Sequence, residues 1–101
     1  MEVSLVKPIK TCHYAKGYIE VVDGRNRNEL FIHVFLYAQI DAQTVKSIGE
    51  RYKKALSEYK IEAEYIPEVE SICVLVSHEN LAMAKNMTVN KIDKASKEIF
   101  N

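Results

Sequence analysis

Between Glu29 and Ile40 apolar side chains fall on both parities of an extended chain. Leu30, Ile32, Val34, Leu36, Ala38 and Ile40 form one uniformly aliphatic set, and Phe31, His33, Phe35, Tyr37 and Gln39 form the other, aromatic with polar handles. Successive residues of a strand point to opposite faces of a sheet, so a strand apolar on both parities belongs in the interior of a sheet with both faces covered. The stretch before it, Tyr18-Ile19-Glu20-Val21-Val22, is also β-branched and aromatic, and Asp23-Gly24-Arg25-Asn26-Arg27-Asn28 between them is turn material. The two runs are expected to form an antiparallel hairpin.

The remaining elements follow from periodicity. Asp41 suits a helix N-cap, and Val45, Ile48, Tyr52, Ala55, Leu56 and Tyr59 recur at helical spacing behind it. Gly49 lies inside that stripe, a costly placement that marks a close approach of neighbouring backbone. Ile61 to Ile66 alternates apolar residues with Glu62 and Glu64, and Ile72 to Val76 is a continuous apolar run expected to be buried on both faces, with Cys73 a small core residue. Ser77 is expected to cap a final helix over residues 79–100, with a break at the poor helix formers of Asn86–Asn90 as the alternative. Val3 to Lys7 reads as a short strand stopped by Pro8, and Thr11 to Lys16 as a loop.

The order strand, strand, strand, helix, strand, strand, helix is that of an α+β domain: a mostly antiparallel sheet of about five strands with two helices on the aliphatic face. In topology alone this order resembles the profilin-like sheets of roadblock and longin domains, and that likeness implies a dimerising or regulatory platform. At 101 residues, with 48% hydrophobic composition, the chain supports one domain over residues 1–101, with a core small enough for association to add usefully to stability. No apolar run reaches the roughly 20 residues a membrane span requires. The first ten residues have only scattered apolar positions and no signal-like block, so a cytoplasmic protein with reduced Cys12 and Cys73 is expected.

Net charge is zero but unevenly distributed. Residues 1–28 have five cations against three carboxylates, residues 29–79 five against nine, and residues 80–101 four against two. The isolated Gly17, Gly24 and Gly49 supply neither a phosphate loop nor a dinucleotide fingerprint, and no HExxH or CxxC spacing occurs. No cofactor and no metal site is therefore expected from motifs.

Three function classes remain. Two helices can cover only one side of the sheet, so Phe31, His33, Phe35, Tyr37 and Tyr18 are expected to form an exposed aromatic interface, best covered by a second copy or another protein. The favoured expectation is thus a non-catalytic interaction or regulatory module that homodimerises. Alternatively, Arg25 and Arg27 beside the same rings resemble the parts of a platform for single-stranded nucleic acid, although zero net charge weakens its electrostatic half. Thirdly, the adjacent Cys12 and His13 pair a nucleophile with a base, and a small thiol- or metal-dependent enzyme could be centred on them if His33 or His78 joined.

Overall fold

The computed structural model describes residues 7–101. Among these residues five strands, β1 (Lys10–His13), β2 (Gly17–Asp23), β3 (Glu29–Leu36), β4 (Lys60–Ile66) and β5 (Ser71–Ser77), form one sheet of order β1-β2-β3-β5-β4. Every neighbouring pair is antiparallel. Helix α1 (Ala42–Ala55) links β3 to β4, and α2 (Lys85–Phe100) follows a short 3-10 helix at Leu81–Ala84. The architecture is the α+β sheet with two helices that the alternation of hairpins and helices implies, and β3 is its middle strand.

The core lies between the sheet and the helices. Ile19 and Val21 of β2, Leu30, Ile32 and Val34 of β3, Ile61 of β4 and Ile72, Val74 and Val76 of β5 share one face. Against them pack Ile48 and Tyr52 from α1, Leu56 just past its end, and Val89, Ile92, Ala95, Ile99 and Phe100 from α2. The smallest extent of the molecule, 21 Å against 36 and 35 Å, corresponds to two layers, one sheet and one tier of helices.

Hydroxyls join the two helices. Ser96 Oγ donates to the Ile92 carbonyl at 2.7 Å, which leaves the buried Tyr52 hydroxyl to donate to Ser96 Oγ at 2.6 Å. Thr88 Oγ1 likewise donates to the Ala84 carbonyl at 3.0 Å and accepts from Tyr59 at 2.9 Å. These back-bonded hydroxyls are satisfied inside the helix, so α2 runs unbroken through Asn86–Asn90 despite its low intrinsic propensity.

Asp41 caps α1 as expected: its Oδ1 accepts from the Thr44 amide at 2.8 Å and from Thr44 Oγ1 at 2.7 Å. Gly49 rests on β4, where an added Cβ would come within 3.0 Å of the Ala63 methyl. Gly17 is buried opposite Leu36, and any Cβ there would collide with the Phe35 carbonyl.

Several expectations require correction. Thr11 to Lys16 is not all loop, because Lys10–His13 is edge strand β1, paired with β2. Of the strand expected at Val3–Lys7, residues 3–6 lie outside the described residues and Lys7 belongs to no strand. β3 ends at Leu36 and does not reach Ile40: the Tyr37 amide still makes an in-register bond to the Lys16 carbonyl at 3.1 Å, but Lys16 lies in the β1–β2 turn and β2 offers no partner beyond it. Ser77 is the last residue of β5 and caps nothing; the final helical segment opens as the 3-10 turn, and α2 begins only at Lys85. β5 is not buried on both faces: Ile72, Val74 and Val76 enter the core, whereas Cys73 and Leu75 are half-buried on the opposite side. Ala55 and Tyr59 also depart from the α1 stripe, the first being exposed and the second lying beyond the helix end.

Truncating a β3 side chain on the helix side should be severe. Ile32→Ala is expected to cost about 2–5 kcal/mol in urea unfolding, the range for deleting a fully buried aliphatic group. A loss below about 1 kcal/mol would contradict the placement of Ile32 at the centre of the core.

Candidate functional site: the open sheet face

The face of the sheet away from the helices follows from strand register. Across β1, β2 and β3 the first row is His13, Tyr18 and Phe35. The second is Thr11, Glu20, His33, Cys73 and Glu64, and the third contains Val22, Phe31, Leu75 and Glu62. Directly opposed residues in antiparallel strands project to the same side, so these rows form one surface. No helix among the described residues packs on it.

The rings are organised. Tyr18 stacks on Phe35 with centroids 4.8 Å apart and planes inclined by 16°, and His13 stacks on the far side of Tyr18 at 5.2 Å. Offset stacking of this kind adds to area burial and holds each ring in one rotamer. Phe31 lies 6.4 Å from the His33 ring, and the Arg25 guanidinium carbon stands 5.9 Å from the Phe31 centroid. Tyr18, Phe31, His33 and Phe35 are all half-buried by these neighbours alone. Tyr37 stands at the margin, off the strand, 63% exposed and 6.4 Å from Tyr18.

Of the residues expected at the site, Phe31, His33, Phe35 and Tyr18 therefore share one surface, with Tyr37 at its rim. Sequence reasoning missed His13, Leu75 and Cys73. His13 was obscured because β1 is only four residues long and mixed in character, and its place is set by pairing with β2. Leu75 and Cys73 sit in an unbroken apolar run, where alternation gives no signal.

Other constellations are not assembled. Cys12 and His13 project to opposite sides of β1: Cys12 packs against the core beside the helices, and His13 lies on the open face. Near Cys12 the Tyr14 hydroxyl donates to Asp93 Oδ1 at 2.6 Å, and Lys10 Nζ reaches Asp93 Oδ2 at 3.4 Å. Burial and that carboxylate push the Tyr14 phenol up, while the Tyr14 hydrogen bond and Lys10 hold Asp93 below its ordinary range. His78 is remote from the pair, edge-on to Tyr59 with its Nδ1 accepting from the Asn80 amide. Among the described residues, no three of His, Cys, Asp and Glu converge as metal ligands.

The two arginines also separate. Arg25 is committed to Glu29, donating from Nε at 3.1 Å and from Nη2 at 2.9 Å, while Arg27 is exposed in the turn. Glu20, Glu62 and Glu64 occupy the open face itself. The surface therefore carries rings and aliphatic groups on either side of a central polar row holding Glu20 and His33, and is acidic along its β4 side.

Compared with models of protein families, with curated proteins and with solved structures, the chain matches none. The reading of the site rests on its own chemistry.

Burial lowers the affinity of His33 for a proton, an effect that Glu20 opposes, and burial followed by the charge of Glu64 raises the Cys73 thiol. Because the folded state binds the His33 proton less readily than the unfolded chain, its contribution to stability is complete above the ordinary imidazole value of about 6.5 and is lost as pH falls through and below it. The His33 resonance is expected to titrate below 6.5, and His33→Gln should reduce the loss of unfolding midpoint between pH 7.5 and 5.5. A titration midpoint at or above 6.5 would contradict a desolvated ring.

Proposed function

We propose that the chain is a non-catalytic interaction module that pairs through its open sheet face with the same face of a second copy. The observation that carries the reading is the ring-bearing side of β3: the central strand of the sheet presents Phe31, His33 and Phe35 where no helix among the described residues reaches. A ring-rich surface interleaved with polar groups has the make-up of a protein interface, and Tyr and Phe are among the residues that anchor such contacts.

Symmetry favours a second copy as the occupant. β3 has two strands on either side, so a two-fold axis running along it would lay all five strands over five. That axis also suits the charges. It would place the β4 carboxylates Glu62 and Glu64 over the partner's β1, which carries Thr11 and His13 on this face, whereas an axis across the strands would stack β4 on β4 and bring four carboxylates together. The same carboxylates, and the capture of Arg25 by Glu29, argue against a single-stranded nucleic acid, whose phosphates would meet an acidic surface. The separation of Cys12 from His13 removes the geometric basis for a thiol enzyme centred on them.

Sedimentation velocity over a wide concentration range tests the reading. The wild type should show a concentration-dependent dimer and Phe35→Glu only a folded monomer, because a desolvated carboxylate among rings forfeits the contact. Arg27→Ala should leave assembly unchanged. Should Phe35→Glu fail to fold, the half-exposed Leu75→Lys serves in its place. A wild type that remains monomeric at high concentration would overturn the proposal.

A further inference from the structure

At the margin of the sheet, bordered by Tyr37 at the rim of the open face, a cleft of about 570 Å³ opens where the β1–β2 turn, the end of β3, α1 and the end of α2 meet. Its size lies within the roughly 300–1,000 Å³ of small-ligand sites, and its lining follows their pattern of an apolar bed with a few polar groups. Leu36, Tyr37 and Ala38 form its accessible apolar bed over the buried Ile48 and Phe100, and Lys16 and Arg51 supply cations.

Both residues are anchored at the last turn of α2, Lys16 by its backbone and Arg51 by its guanidinium. The Lys16 amide donates to the Phe100 carbonyl at 2.9 Å while its own carbonyl accepts from Tyr37, so its backbone is fixed from both sides. Arg51 donates from Nη1 to the Ile99 carbonyl at 3.3 Å and from Nη2 to the Glu98 carbonyl at 3.2 Å. Those bonds engage two of the five N–H donors of a guanidinium and leave the rest for a ligand. Asp41, the carboxylate in the same lining, is occupied as the α1 cap by Thr44. The Lys16 ammonium has no ion-pair partner among the described residues.

We infer that this cleft binds a small organic monocarboxylate with an aromatic or branched aliphatic body, its carboxylate held by Lys16 and Arg51 and its body lying on Leu36, Tyr37 and Ala38. The lining carries two cations against one carboxylate, a net positive charge that the carbonyl end of α2 offsets in part, and the apolar bed would favour an anion with a hydrocarbon body over inorganic phosphate. The frame exists before binding because backbone hydrogen bonds among the elements hold it, so little ordering opposes association.

Amide resonances of the full chain, followed by nitrogen-edited NMR during titration with phenylacetate at constant ionic strength, test the inference. The expected result is saturable shifts concentrated at Lys16, Leu36, Ser47 and Arg51, with Kd on the order of 1 mM for a ligand of about ten heavy atoms. Phenylacetamide, which lacks the charge, should bind at least about tenfold more weakly, because charge-assisted hydrogen bonds are lost. Lys16→Gln should weaken phenylacetate about threefold to fivefold with the fold intact, as expected for one partly exposed charge. Ser47→Trp, made on the exposed side of α1, should fill the cleft and abolish the shifts. Inorganic phosphate should produce no saturable shift there. The inference is overturned if phenylacetate produces no shifts up to about 20 mM, if the shifts scatter over the surface, or if the amide binds as well as the acid.

Discussion

The pairing of β3 with β2 on one side and β5 on the other fixes everything else in the molecule. With that register, Leu30, Ile32 and Val34 meet Val21, Ile19, Val76, Val74 and Ile72 on one face, and no alternative slip by one residue survives, because it would exchange this aliphatic set for the ring-bearing one. The helices then have a single surface on which to pack. Each takes one side of it: α1 rests through Gly49 on Ala63 of β4, while α2 approaches β1 through the contact of Asp93 with Tyr14 and Lys10. They meet above the middle of the sheet where Tyr52 bonds Ser96.

That arrangement exhausts the helices, and the second face of β3 is left to its neighbours. Its rings stack on one another across the strands and become half-buried without becoming covered. The asymmetry explains how the open face can be well ordered and still available. It also explains why His33 is desolvated at a position no helix reaches: Phe31, Cys73 and Glu20 surround it from its own strand and from both adjacent strands. Protonation there works against folding, and a ring at the centre of a face-to-face contact would feel it more strongly still.

Much of this was legible in the amino-acid sequence, and the rest was not for identifiable reasons. The two-faced pattern of Leu30 to Phe35, the turn around Gly24, the cap at Asp41 and the alternation of β4 are local signals, each written in a few adjacent residues. Features decided by distant partners were hidden. β2 offers β3 no partner beyond Lys16, whose carbonyl takes the last ladder bond from Tyr37, so β3 stops four residues earlier than its apolar pattern runs. β1 is a strand because β2 offers it an edge, and nothing in Lys-Thr-Cys-His demands it. Unbroken helix through Asn86–Asn90 depends on Thr88 bonding Ala84 and Tyr59, a contact supplied from beyond the end of α1. The cleft beside Lys16 is built from four separate segments and has no signature in any of them.

The account turns on what covers Phe31, His33 and Phe35. Isotope-filtered NOE spectroscopy on a mixture of carbon-13-labelled and unlabelled chains reads that contact directly, since only protons on different copies give signals. The account predicts intermolecular NOEs linking the Phe31 and Phe35 rings and the Leu75 methyls to the same strands of the other copy. Intermolecular NOEs confined to α1 and α2, or none in a sample concentrated enough to associate, would contradict it.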